Sequence, residues 1–585
     1  MCSAAPAGRA VPAALLAALA AAALCGPAAA APLKAGEPAA PAAAAAVELS
    51  GDFGRTPAGP RSLLVTFDDR PPAAGARARL ARYGAVSPAV PEAGVWSVVP
   101  RRPATAREAV LRRGDVSGAE WSLVRTTDDR PAPPPPAPLG AAPTFTDLYF
   151  QAGAQWHLRG DPSWGPDLTT AGPRGRIAIL DSGVDFTQPD WAATPGALVA
   201  GRSTLRGDDN TNDIGRTGHG THVAGIAAAP ANGVGVVGVA PAAPGSAEVI
   251  PVQIANQEGE SNDETMIKGI RHAVNNGAKV INISSGGPGY SRSFQDTVNW
   301  ATQKGVTIVA SVGNDGRPRT NFPAGYQHVV GVGAQCDAVV SGECPVPFRA
   351  AAFSNRNRSV DLIAPGVDIL STVPLRVAEG RVDPGYALKD GTSMAAPFVT
   401  GVVALVQGAN GNALSPYQVL RQLKNTATDL PPSGRDDRSG AGVVNPRAAV
   451  TLQAPRDDTG EVNDDVKWVG AGARLAKGRA TTIEANADQD DDSDDVYPVL
   501  LRRGDTLRAV LAARSGRLDL FMWGTGTRTV STGSAANVRR NLLAVRLGPA
   551  KRKVRVIRAK RTGRYFVNVY ARRGATDYTL TLTRR

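Results

Sequence analysis

Hydrophobic and polar positions follow different rhythms in successive parts of this chain. Between residues 47 and 130, short apolar runs (RSLLVTF, VWSVVP, WSLVRT) are separated by two stretches of helical spacing, ARARLARYG and ATAREAVLRR. That alternation predicts a small β-α-β-α-β unit of two layers. From 145 to 455 the runs RIAILD, EVIPVQI, KVINIS, GVTIVASV and HVVGVGA are almost continuously apolar, as strands covered on both faces must be. Gly-rich turns and helical segments lie between them. The region is therefore predicted as α/β, a parallel sheet with helices on both faces, with FVTGVVALV as its central apolar helix. From 456 to 585 the runs TLRAVLAA, RLDLFMW, VRVIRA, RYFVNVY and YTLTLT alternate with period two between turn residues, the pattern of an antiparallel β-sandwich.

The segments between these regions fit the division. Residues 1–31 carry one arginine, an apolar core (VPAALLAALAAAALCG) and Ala-x-Ala options, which predicts a signal peptide and a secreted, extracellular protein. Residues 32–46 form an Ala/Pro-rich spacer, and 131–144, beginning PAPPPPAP, a stiff Pro-rich linker. At 585 residues the chain is too long for one core. The net charge of +13 is compatible with acidic partners, but no basic stripe is interleaved with aromatics, so no nucleic-acid partner is expected. Lys551–Lys553 and Arg572–Arg573 could make weak contact with an anionic cell surface, although their alternation with apolar residues puts them on the outer face of strands. Once the leader with Cys2 and Cys25 is removed, Cys336 and Cys344 remain close together in QCDAVVSGECP. Outside the cell they would form a small-loop disulfide, the alternative being two free thiols.

Candidate chemistry centres on DGTSMAAP, residues 390–397. Ser393 lies between a Gly-Thr turn and an apolar helix, so it stands at a helix N-terminus that favours developing negative charge. Pro397 is then expected in the first helical turn. A serine there could be only an N-cap. Two other segments argue otherwise. Asp181 ends the strand RIAILD, where α/β sheets build sites, and His219 sits in the Gly-rich turn of GHGTHVAG that opens the helix THVAGIAAA. A carboxylate, an imidazole and a hydroxyl in the chain order Asp, His, Ser supply orienter, base and nucleophile for acyl transfer.

DSGVD, GHGTHVAG and GTSMAAP resemble the signature segments of the subtilases, the subtilisin-like serine proteases. The resemblance implies a serine endopeptidase acting on protein or peptide substrates. SVGNDG resembles the segment supplying an oxyanion-hole asparagine, here Asn314. SSGG resembles the family's substrate-binding edge: Ser284, Ser285 and Gly286 would form one wall of the primary pocket, Ser311 to Gly313 the other, with Asp315 at the rim. Residues 47–130 resemble the inhibitory propeptide of a self-processing proenzyme, and processing is expected near the Pro-rich linker or just after it. A structural calcium ion is implied at Asp190, Asn232 and Gln151. The acidic run Asp488–Asp495 is read as a solvated turn rather than a second calcium site. His222 is expected to pack structurally, as are His157, His272 and His328 unless they lie at the surface, and Asn282 is read as a buried structural amide. A specialised processing protease of narrow specificity, or a binding module without activity, are the alternatives.

Overall fold

The computed structural model describes residues 62–127, 130–131, 145–159, 163–170, 172–336, 349–458, 460–514, 517–530 and 535–585. The leader at 1–31, the spacer at 32–46, linker residues 132–144 and Cys344 lie outside the described residues.

A seven-stranded sheet carries the central region, in the order Leu362–Pro365, Val329–Gln335, Thr307–Ser311, Ala278–Ile283, Arg176–Asp181, Val249–Gln253, Arg202–Ser203. Every pairing in it is parallel. Period-two geometry sends alternate side chains to opposite faces. Ile177 and Ile179 therefore enter one core and Ala178 and Leu180 the other. The first core holds the helices His219–Ala228 and Thr392–Ala409, the second Asp263–Asn275 and Arg292–Gln303. Both faces are buried, which is why these strands read as unbroken apolar runs. Thr392–Ala409 is apolar and long enough to cross a membrane, yet 94% of it is buried inside the protein, so it is a core helix.

The order of the strands reverses at Arg176–Asp181, between Ala278–Ile283 and Val249–Gln253. Crevices beyond the carboxyl ends of strands at such a point are where α/β sheets bind ligands. Asp181, Ser284 and Ser311 all stand at or just past those ends.

The N-terminal unit departs from its pattern: the expected last strand, WSLVRT, is extended only at Val124–Thr126, which pairs with Glu260–Asn262 outside the unit, and two strands of the unit, Gly84–Val90 and Val116–Trp121, were not predicted. Gly84–Val90 joins Leu63–Phe67, Val95–Pro100 and Val116–Trp121 in an antiparallel sheet backed by the helices Ala73–Leu80 and Pro103–Leu111. Of these two, GAVSPAV has no clean alternation, and its Pro88 opposes a strand reading. Leu63, Val65 and Phe67 fill this unit's own core, while Leu64, Val90 and Val95 pack with Met266, Ile267, Ile270 and Phe294 of the central region.

Beyond Asp458 two four-stranded antiparallel sheets enclose a common core that includes Leu507, Leu511, Leu520 and Leu580. This is the expected sandwich. Lys553 is buried there and Arg572 donates to Asp519 at 2.7 Å, so these two are not a free basic surface. The acidic run is a correction: Asp492, Asp494 and Asp495 are buried, not solvated, because the turn folds against the central region, where Lys424 bonds to Asp488 and Asp491.

Candidate active site

Asp181 is buried at the end of its strand, and its two carboxylate oxygens lie 2.8 and 2.9 Å from His219 Nδ1. Its Oδ1 also accepts the Ser182 N–H at 2.7 Å. The helix of His219 can approach this turn because residue 220 is glycine: a Cβ there would sit 2.2 Å from the Gly183 carbonyl oxygen. A second buried carboxylate, unrecognised from sequence, holds the helix in place. Asp213 accepts the Thr221 N–H (2.9 Å), the Thr221 hydroxyl (2.6 Å) and the Ser182 hydroxyl (2.9 Å), and Ser182 Oγ accepts the Gly220 N–H (3.0 Å). Burial pushes the Asp213 carboxyl up, against the pull of those donors. Its surroundings in the chain, GDDNTNDIG, are polar apart from Ile214 and the glycines, so nothing local marks it out.

Ser393 is the second residue of Thr392–Ala409 and its hydroxyl donates to the Ser284 carbonyl at 3.1 Å. Pro397 is not in the first turn as expected but lies four residues beyond Ser393, inside the helix. A proline there has no N–H for the Ser393 carbonyl. Ser284 Oγ supplies the missing donor at 2.9 Å. The proline thus ties the backbone of the candidate nucleophile to SSGG. Asn282 Nδ2 in turn donates to Ser284 Oγ at 2.9 Å and Asn282 Oδ1 accepts from Thr400 at 2.9 Å, the structural role expected of that amide.

Asn314 is buried beside Ser393. Its Oδ1 accepts both the Thr392 N–H and the Thr392 hydroxyl at 2.9 Å, which fixes Nδ2 as the donor end of the amide. Gly313, before it, has φ +98°, and a Cβ there would lie 2.1 Å from Asn321 Nδ2, so both backbone and space require glycine. Asp315 is exposed; its carboxylate accepts from Asn355 at 3.0 Å and pairs with Arg319 at 3.4 Å.

The edge Ser284–Gly287 is already occupied by the chain itself. Gly286 and Thr126 exchange hydrogen bonds of 3.0 and 3.1 Å in an antiparallel bridge, and Val124–Thr126 pairs on its other side with Glu260–Asn262. Arg125, fully buried, donates to Asp263 at 2.8 Å and to the carbonyls of Gly287, Pro288 and Gly289 at 2.6, 3.0 and 3.0 Å. Farther on, Arg130–Pro131 pairs with Lys389 and Asp390, just before Ser393. Described residues on either side of 128–129 thus pair with the two segments that lead to the candidate site, Ser284–Gly287 and Tyr386–Asp390.

The residues expected to hold calcium are engaged elsewhere. Asp190 accepts from the Tyr386 hydroxyl (2.6 Å), the Val236 N–H (3.0 Å) and Gln188 Nε2 (3.2 Å), and burial raises its carboxyl to about 7. Asn232 Oδ1 accepts the Val234 N–H at 2.9 Å and its Nδ2 donates to the Asp190 carbonyl at 2.9 Å; Gln151 is exposed and donates to Phe145. In this arrangement Asp190 and Asn232 are held by neighbouring protein groups. His222 is buried with Nε2 at 3.1 and 3.0 Å from two carbonyls, and His157 is buried as packing. His272 is part exposed at 2.6 Å from the Ala200 carbonyl, whereas His328 is buried 3.0 Å from Asp464, an ion pair not foreseen.

Residues 174–442 match the model of the subtilase family. A thermophilic serine proteinase of Bacillus sp. (strain AK1) is 32% identical over 62% of this chain and 83% of its own length. Subtilisin Savinase of Lederbergia lenta is 38% identical over 47% of this chain and 90% of its own length, and M-protease of Shouchella clausii is 38% identical with 63% of its length spanned. Fervidolysin of Fervidobacterium pennivorans, a keratinolytic enzyme related to subtilisin, has a similar fold at 22% identity, with a TM-score of 0.59 and 85% of each chain covered.

Proposed function

The chain belongs to the subtilase family of subtilisin-like serine endopeptidases, and we propose that it hydrolyses peptide bonds with Ser393 as nucleophile, as a secreted, self-processing proenzyme. His219 takes the Ser393 proton through Nε2 and returns it to the leaving amine. Asp181, on Nδ1, keeps the ring in the required tautomer and stabilises its cation. The oxyanion that forms on the substrate carbonyl is met by Asn314 Nδ2 and by the N–H of Ser393 at the start of its helix. A substrate binds as an extended strand along Ser284–Gly287, as Thr126 does. With Asp315 paired to Arg319, an apolar side chain is preferred in the primary pocket.

The observation that carries this reading is the placement of residues 124–127 and 130–131. Thr126 pairs on one side of Ser393 and Arg130 on the other, so one of the bonds between Thr127 and Arg130 is the self-processing bond. That adjoins the Pro-rich linker, near which processing was expected. After cleavage the propeptide stays on the cleft through Arg125 and blocks it. The test is paired expression of the unchanged chain and Ser393→Ala, following chain size and cleavage of an unfolded protein. The expected result is a chain shortened by processing that cleaves substrate, with Ser393→Ala full length and inert. A variant that is processed and cleaves normally removes Ser393 from the role, and two inert full-length chains establish a binding module.

A further inference from the structure

Away from the cleft, carboxylates converge where the central region meets the sandwich. Asp458, Glu461 and Asp464 come from the segment entering the sandwich, and Asp492 and Asp495 from the turn and first residues of the strand Asp494–Leu501. One oxygen each from Asp458, Glu461 and Asp495 lie within 4.8 Å of one another. Asp492 is 1% exposed and neither of its oxygens has a hydrogen-bond partner among the described residues. Asp495 is fully buried; one oxygen accepts the Tyr578 hydroxyl at 2.6 Å, and the other has no partner among the described residues, as is true of Glu461 Oε1. The carboxylates acting most strongly on Asp492 are Glu461, Asp495, Asp464 and Asp458, so it stands beside the cluster.

Neighbouring cations are committed elsewhere. Lys424 pairs with Asp488 and Asp491, Arg358 and Arg435 with Asp490, Arg421 with Asp577, and His328 with Asp464. Among the described residues no Lys or Arg forms an ion pair with Asp458, Glu461, Asp492 or Asp495. Anions buried without a partner are too costly to keep, so a positive charge belongs among them. The donors are all oxygens, which suits a hard cation. Calcium takes six to eight such ligands at about 2.3–2.6 Å, so ligands on opposite sides of one ion lie about 5 Å apart, and the cluster matches that span.

We infer that Asp458, Glu461, Asp492 and Asp495 bind a calcium ion that fastens the sandwich to the segment leaving the central region. The ion is structural and remote from Ser393. The test uses the full chain carrying Ser393→Ala, which prevents self-cleavage, after chelator treatment. Terbium should give emission sensitised by Tyr578 and Tyr497, whose hydroxyls are 2.6 Å apart beside Asp495, and calcium should displace it. Asp492→Asn with Asp495→Asn should bind one calcium fewer per chain by elemental analysis and should lose most of the rise in melting temperature that calcium produces. Equal calcium content in both chains, or a melting temperature indifferent to calcium in the parent, overturns the proposal and assigns shared protons to the cluster. Should the double variant fail to fold, sensitised terbium emission from the parent decides: absent, or not displaced by calcium, it refutes the site.

Discussion

Replacing Arg125 with methionine tests the proposed propeptide clamp at its most buried point. The Arg125–Asp263 pair is wholly inaccessible to solvent, with 2.8 Å between Nε and Oδ1. Methionine fills much of the arginine stem but leaves Asp263 with only the Leu123 N–H at 3.3 Å as partner from this segment, and takes the donor from three carbonyls. Breaking one side of a buried pair costs about 3–5 kcal/mol, most of it the penalty on the charge left behind. Burial already pushes the Asp263 carboxyl up despite the arginine, so without Arg125 it takes up a proton more readily, which limits the cost at low pH. The expected effect is a propeptide that inhibits the processed enzyme about a hundred- to a thousand-fold more weakly at neutral pH, with a smaller difference in acid. The assay is inhibition of peptide cleavage by added propeptide, unchanged or Arg125→Met. Circular dichroism checks its folding, since Arg125 lies outside that unit's own core. A loss below about tenfold, or one that persists undiminished when Asp263 is also changed to Asn, would refute the coupling assigned to the pair.

Asn314→Ala should lower kcat by about a hundred- to a thousand-fold with little change in KM, because the donor acts on charge that develops only in the transition state; an unchanged kcat would remove Asn314 from the oxyanion hole. His157 is buried with neither ring nitrogen bonded among the described residues, and burial lowers it to about 3. The unfolded chain therefore takes up this proton from about pH 6.5 downward while the folded one does not, costing about 3 kcal/mol of stability by pH 4. His157→Leu in the Ser393→Ala chain should flatten that acid limb in a series of thermal melts, and parallel profiles would contradict it. His328 has the opposite sign: burial lowers it, but Asp464 more than offsets this and raises it, so its contribution is complete in acid and fades only as pH rises through its folded value.

Much of this protein was legible one residue at a time. Continuous apolar runs announced strands buried on both faces, and period-two runs announced the sandwich, because side-chain direction is a local property of the backbone. Asp181, His219 and Ser393 were identifiable because each stands in a short segment of glycine and small residues at the end of an element, and their order along the chain fitted one arrangement. Asp213 gave no such sign, since its role is to hold Ser182 and Thr221, which only the folded turn brings to it. Pro397 looked like a helix-start residue; its place in the interior makes sense only once Ser284, 109 residues earlier, supplies the lost donor. The Tyr386 hydroxyl on Asp190 gave no local sign either, and the run Asp488–Asp495 looked solvated until the turn packed against Lys424 and Tyr578. Local rules decide what a residue does to its own backbone. What a buried charge or an orphaned carbonyl does depends on which distant group desolvates or bonds it, and that is settled by tertiary structure.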